Sequence, residues 1–108
     1  MQNVHTNEGT GAVNDRLAII FKALASSICR RIIEQLRKQP RYVTELAGEL
    51  NIAQSNISKA LTMLMSAGIV MQLPRRTAGT TWRCQLYALT KDASAAVSQM
   101  ERAALLIA

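Results

Sequence analysis

The chain has 108 residues, with 13 lysines and arginines against 7 aspartates and glutamates, which gives a formal net charge of +6. This length suits one domain and excludes a second, and small domains often gain stability by pairing. A positive surplus on so short a chain indicates either a polyanionic partner, usually nucleic acid, or a solvated surface with a positive bias.

Several other protein classes are not supported by the sequence. The two cysteines, Cys29 and Cys84, form no CxxC or CxC pair, which argues against a zinc finger or a disulfide scaffold. The first residues lack a signal-peptide core, and no apolar run approaches the ~20 residues of a membrane span. With its single histidine, His5, in a polar segment and no Gly-rich phosphate loop, the chain is predicted to be a cytoplasmic protein that is not an enzyme and needs no cofactor.

Two helices are predicted in the first part of the chain. Residues 1–13 are polar, contain glycine and show no period, so we expect a flexible tail in front of one domain at residues 14–108. Helical spacing of apolar residues begins near Asn14. A second helix, capped by Ser26 or Ser27, is expected to run to Lys38, because Pro40 stops it.

Two shorter helices follow, joined by a three-residue turn. Thr44 is the expected cap of a helix over residues 45–50, and Asn51 can adopt the left-handed conformation that ends it. The next helix is predicted over residues 54–67 and ends at Gly68. Its inner face is expected to consist of Ile57, Ala60, Leu61, Leu64 and Met65.

After Gly68 the period changes to that of strands. Ile69, Met71 and Leu73 alternate, and so do Trp82, Cys84, Leu86 and Ala88, on either side of a basic, Gly-containing turn at residues 74–80. This pattern predicts a β-hairpin. Helical spacing returns from Lys91, with an Ala-rich stripe. The predicted fold is mainly α, a winged helix-turn-helix in the order helix, helix, helix, helix, β-hairpin, helix.

The two helices around the turn at residues 51–53 have the spacing of a helix-turn-helix. The outer face of the second carries short hydrogen-bonding side chains and one cation, and no acidic residue occurs between Asn51 and Lys91. Such side chains suit base edges in the major groove, whereas an ordinary solvated face would more often carry Glu–Lys pairs. The residues predicted to read bases are Gln54, Ser55, Asn56, Ser58 and Lys59.

The hairpin would extend this DNA-binding surface. Arg75 and Arg76 lie near its tip and Arg83 lies on the return strand, where they are predicted to hold the phosphate backbone. Thr44 could donate a further hydrogen bond to phosphate. The alternative interpretation is an exposed charged loop without a ligand.

Four segments of the chain resemble the ArsR/SmtB family of winged-helix repressors: LASSICRRII at 24–33, VTELA at 43–47, QSNISKAL at 54–61 and AGIV at 67–70. The first is similar to the family's LADPTRLRIL segment, and LYALT at 86–90 fits its wing. The resemblance covers about residues 14–108. It implies a dimer joined by the first and last helices, and repression by operator binding that an effector relieves.

The chain also departs from that family. The DP pair is replaced by Ser26 and Ser27, and Cys29 stands where an arginine is usual. The family's CxC motif is absent from the third helix and no histidine occurs in residues 91–108, so no metal site is expected. Cys29 and Cys84 are either small buried hydrophobes or a redox or effector site.

The sequence thus predicts a DNA-binding transcriptional regulator, most simply a repressor that binds an inverted-repeat operator on double-stranded DNA as a homodimer. Two alternatives remain open at this point. One is a winged helix that docks on another protein. The other is an architectural protein that binds DNA without sequence preference.

Overall fold

The computed structural model describes residues 6–74 and 85–107. In these two stretches the chain forms five helices and three short strands. The helices are α1 Thr6–Ala25, α2 Ser27–Lys38, α3 Val43–Leu50, α4 Gln54–Ser66 and α5 Lys91–Ile107, and the strands are β1 Arg41–Tyr42, β2 Val70–Leu73 and β3 Leu86–Leu89. The predicted winged helix-turn-helix fold, with four helices, a hairpin and a last helix, is confirmed.

The sheet has one strand more than predicted. The strands β2 and β3 pair antiparallel from Val70 opposite Leu89 to Leu73 opposite Leu86, as the hairpin prediction requires. The additional strand β1 pairs with the other edge of β3, so the order is β1-β3-β2. A two-residue strand is too short to show a period in the sequence, which is why the prediction missed it.

Helix α1 begins at Thr6, two turns before the start predicted near Asn14. The apolar spacing used for the prediction marks only the part of a helix that faces a core. Residues 6–13 have no such spacing, so the pattern could not reveal this extension. The boundary between a tail and the domain at residue 14 therefore does not coincide with a helix end.

Helix α2 begins and ends as predicted, for identifiable local reasons. The side chain of Ser26 accepts a hydrogen bond from the backbone N–H of Cys29 at 3.2 Å, which satisfies one of the free donors of the first turn. Arg37 and Lys38 occupy the last turn, where positive charge is favourable, and Pro40 follows. Its inner face then buries Cys29, Ile32, Ile33 and Leu36.

The core lies between α2, α3, α4 and the sheet. The predicted inner face of α4 is confirmed for Ile57, Ala60, Leu61 and Leu64, whereas Met65 is only half-buried. Leu46 and Leu50 of α3 pack against it. Helix α4 is therefore held by apolar contacts along one side from Ile57 to Leu64.

The strand faces differ from the predicted alternation. In β3 the buried residue is Tyr87, while Leu86 and Ala88 of the alternating apolar set are half-buried. In β2, Val70 is buried and Met71 is 42% exposed. Both faces of these strands carry apolar residues, and the large Tyr87 ring takes the interior because its hydroxyl still accepts a hydrogen bond from Gln72 Nε2 at 3.0 Å.

Helix α5 packs only loosely on the rest of the chain. Ala93 and Val97 are partly buried against the core, but none of the described residues of Lys91–Ile107 is buried. Leu105, Leu106 and Ile107 are at least 79% exposed. Within residues 6–74 and 85–107, no helix has the length and apolar character needed to cross a membrane.

Candidate nucleic-acid interface

The turn between α3 and α4 depends on one left-handed residue. Asn51 has φ 56° and ψ 48°, as predicted, and its N–H donates to the carbonyl of Ala47. The N–H of Ile52 donates to the same carbonyl at 3.1 Å. Asparagine tolerates this conformation better than most residues. The chain therefore leaves α3 and starts α4 within three residues, with Gln54 as the first residue of α4.

The cap of α3 lies two residues before the predicted position. The helix begins at Val43, and its N-cap is Tyr42 instead of Thr44. The carboxylate of Glu45 accepts a hydrogen bond from the N–H of Tyr42 at 2.8 Å, so the acidic residue of the first turn, and not the threonine, bonds the cap residue. Thr44 is exposed in the first turn.

The outer face of α4 is open to solvent over its first two turns. All five residues predicted to read bases, Gln54, Ser55, Asn56, Ser58 and Lys59, are exposed. The opposite face is anchored by Ile57 and Leu61, which are at most 1% exposed. The structure therefore exposes all five side chains at the amino-terminal end of α4, with Ser55, Ser58 and Lys59 facing away from the core and Gln54 and Asn56 at the edges of that face.

This arrangement of α2, α3, α4 and β2 corresponds to a known family. Residues 26–71 match the model of the bacterial regulatory proteins of the arsR family. Over these residues the chain is similar to the arsR family, and its fold is a winged helix-turn-helix. The family and the fold are those of DNA-binding transcriptional regulators and not of enzymes.

Several solved structures share this fold. The homodimeric winged helix-turn-helix DNA-binding domain Mb0332 of Mycobacterium bovis superimposes with a TM-score of 0.76 at 24% identity, over 90% of this chain and 85% of that one. Rv0081 of M. tuberculosis gives 0.67 at 28% identity, over 87% and 89%. The transcriptional regulator HlyU of Vibrio vulnificus gives 0.60 at 26%, over 94% and 97%. No curated protein is a significant sequence match.

Four of the predicted site residues lie outside the described residues. They are Arg75, Arg76 and Arg83 of the predicted wing, and Cys84. The two strands β2 and β3 that lead to the predicted wing are described. Gly68, which has φ +75°, lies between the end of α4 and the start of β2. A glycine is suited to this position because L-residues with a side chain rarely adopt that conformation. The hairpin therefore starts directly behind the carboxyl end of α4.

Cys29 is a core residue of the described fold. It is 0% exposed, and its Sγ lies 3.8 Å from the carbonyl oxygen of Ala60 in α4. The thiol therefore fills the contact between α2 and α4 as a small apolar side chain with a weak donor. In the described part of the chain, no three His, Cys, Asp or Glu side chains are arranged so that they could hold a metal ion.

Two polar contacts of α2 were missed by the sequence reasoning. The Nη1 atom of Arg30 donates to the carbonyl of Leu24 at 2.7 Å, and the Nη2 atom of Arg31 donates to the carbonyl of Leu50 at 3.1 Å. Neither contact has a signal in the hydrophobic pattern, since each joins an arginine side chain to a main-chain carbonyl of another helix. They link α2 to the ends of α1 and α3.

Proposed function

We propose that this protein is a transcriptional repressor that binds an inverted-repeat operator as a homodimer. The observation that carries the proposal is the outer face of α4, which is exposed, polar and free of acidic residues while its other face is fixed in the core. A rigid helix with such a face fits the major groove of DNA.

The side chains of α4 differ in what they can recognise. Gln54 and Asn56 offer a donor and an acceptor together, the pairing that an adenine edge requires. Ser55 and Ser58 can bond either base type, and Lys59 can reach guanine or phosphate. General attraction to a polyanion needs only positive charge, whereas this set is mostly neutral and hydrogen-bonding. The set therefore favours direct readout of the base sequence.

Dimerisation is supported by apolar surface that one chain leaves uncovered. An apolar groove of about 220 Å³ runs between α1 and α5, with Ile20, Leu24, Val97 and Met100 among its walls. Phe21 beside it is 64% exposed and Met100 is 56% exposed. The similar domain of M. bovis is homodimeric. We infer that the same helices, α1 and α5, cover each other in a two-fold pair.

A two-fold dimer would present two copies of α4 to one side of the DNA. Helix-turn-helix dimers place their reading helices about one helical turn apart, roughly 34 Å, and so select half-sites in inverted orientation. A regulator bound across such a site in a promoter would block transcription, which is the basis of the repressor assignment.

Binding is tested by selecting promoter fragments of the source genome on the immobilised protein and measuring mobility shifts over a salt series. Retention of fragments that share an inverted repeat, with at least about 10³-fold preference over random DNA, is the expected result. Equal affinity for random DNA would instead identify an architectural protein. Absence of binding at low salt would favour a module that docks on another protein.

Assembly is tested by sedimentation of Phe21→Glu beside Leu106→Glu. Leu106 is nine residues from Val97, which places it half a turn away on the opposite side of α5, and it is 87% exposed. We expect a dimer at micromolar concentration for the wild type and for Leu106→Glu, and a monomer for Phe21→Glu. A monomeric wild type would contradict the proposed assembly.

A further inference from the structure

Two adjacent arginines of α2 each bind the carboxyl end of a different helix. Arg31 Nη2 lies 3.1 Å from the carbonyl oxygen of Leu50, the last residue of α3. Arg30 Nη1 lies 2.7 Å from the carbonyl oxygen of Leu24, in the last turn of α1. Both bonds thus have the same chemistry but act on different parts of the molecule.

The bond of Arg31 is placed where it can act on the helix-turn-helix. The last four carbonyls of a helix have no partner within it, and a cation there also interacts favourably with the helix dipole. Leu50 is followed directly by Asn51, the left-handed residue of the turn, and α4 begins three residues later. The bond therefore holds α3 at the residue that directly precedes the turn.

We propose that Arg31 is a positioning residue for DNA recognition, because it fixes the end of α3 to α2 and so sets the angle at which α4 presents its reading face. This inference rests on the proposed function. Arg31 acts through the main chain of the turn, not by reading bases itself.

The fold of α3 and α4 depends mainly on their buried apolar residues, so the role proposed for Arg31 can be distinguished from a general contribution to stability. Leu46 and Leu50 of α3 are at most 6% exposed, and α4 is held by its own buried face. Loss of the Arg31 bond should therefore leave the protein folded while it loosens the turn. A base contact tolerates only small displacements, so readout should respond more than folding does.

The experiment compares Arg31→Met with Arg30→Met. Each variant removes one positive charge and one helix-end bond from adjacent positions, so sequence-independent losses of DNA affinity are matched. The measured quantity is the ratio of operator to random-DNA affinity at one salt concentration. We expect Arg31→Met to lower this ratio about three- to tenfold, the scale of one hydrogen bond, and Arg30→Met to leave it within about twofold.

A conservative variant and a DNA-free measurement complete the test. Arg31→Lys keeps a donor of similar reach and should recover most of the ratio of operator to random-DNA affinity. It also replaces Arg31→Met in the comparison if that variant does not fold. Amide exchange at Asn51 and Ile52 should be faster in Arg31→Met than in Arg30→Met. Equal ratios, or equal exchange at the turn, overturn the role of Arg31.

The two proposals fail in different ways. A wild-type protein with no preferred DNA sequence contradicts the proposed function, and the exchange rates at Asn51 and Ile52 then still decide whether Arg31 holds the turn. A wild-type protein with a preferred operator, combined with identical behaviour of the two methionine variants, contradicts only the positioning role.

Discussion

The guanidinium of Arg37 in α2 donates a hydrogen bond to the carboxylate of Glu101 in α5, 64 residues along the chain. The same guanidinium also bonds Glu34 of its own helix, at 3.1 Å to Oε2. The bond to Glu101 is the main reason that the pKa of Arg37 is raised, with Glu34 adding to it. One side chain thus joins the loosely packed last helix to the core.

This pair should hold α5 in place, and Glu101→Gln should release it. We expect faster amide exchange along α5 in Glu101→Gln than in the wild type. Glu34→Gln is the matched control, since it removes a carboxylate from the same arginine without breaking a contact between helices. Equal exchange in the two variants would show that the apolar contacts of Ala93 and Val97 suffice.

The sign of the pKa shift determines how the pair responds to pH. A raised pKa means that the stabilisation is fully present below the ordinary value of an arginine and is lost only as the pH rises through the raised value. Alkali in the usual range should therefore leave α5 docked. Salt should loosen it instead, because both partners are partly exposed and screened by ions. Exchange rates of α5 compared at low and high salt, at one pH, measure this.

Removal of a base-reading side chain should reduce affinity for the preferred site. Asn56→Ala or Gln54→Ala is expected to cost ~1–3 kcal/mol on that site and much less on random DNA. Ser66→Ala provides the control, as Ser66 is exposed on the same helix but at its far end. Unchanged specific binding in both reading-face variants would mean that α4 does not read DNA with this face.

The wing arginines should contribute to affinity without contributing to specificity. Replacing Arg75 or Arg76 by Ala is predicted to weaken binding to all sequences alike and to reduce the slope of log affinity against log salt by about one unit each. Arg83 is expected to behave in the same way. Titrations at four or more salt concentrations give the slope, and a change confined to one DNA sequence would assign these arginines to base readout instead.

The sequence predicted the fold best where a local chemical cause acts alone. Ser26 at the start of α2, Asn51 in the turn and Gly68 after α4 each have a role that a single residue type makes recognisable. The inner face of α4 followed from spacing because only one of its sides is apolar. At these positions no contact from elsewhere in the chain changes the local structure that the sequence favours.

The sequence predictions failed where contacts with other parts of the chain determine the local structure. Strand β1 exists because β3 has a free edge, which two residues of sequence cannot reveal. Which side of β3 is buried depends on the hydrogen bond between Tyr87 and Gln72. Thr44 is not the N-cap of α3, because the helix starts earlier and Glu45 bonds the cap residue Tyr42. The candidate site was found from side-chain types on α4, but the Arg31 contact proposed to support it joins positions 19 residues apart.

Cys29 should react with thiol reagents only when the core opens. In a Cys84→Ser protein we expect slow modification under native conditions and rapid modification in urea, because the thiol is 0% exposed. Fast reaction of the native protein would instead indicate access to α2 and support a sensing role. That role is tested by operator affinity of reduced and oxidised wild type beside the double variant Cys29→Ser, Cys84→Ser. Equal affinity in all three would leave it without support.

Because none of the described residues of α5 is buried within one chain, the last helix gains stability from whatever covers it. A molecule that binds the folded state and not the unfolded one adds a free energy that grows with its concentration. If a second copy of the chain covers α5, that molecule is the protein itself. The melting temperature of the protein should then rise with protein concentration. Cellular abundance would then set both the number of operators occupied and the rate at which proteases remove each chain.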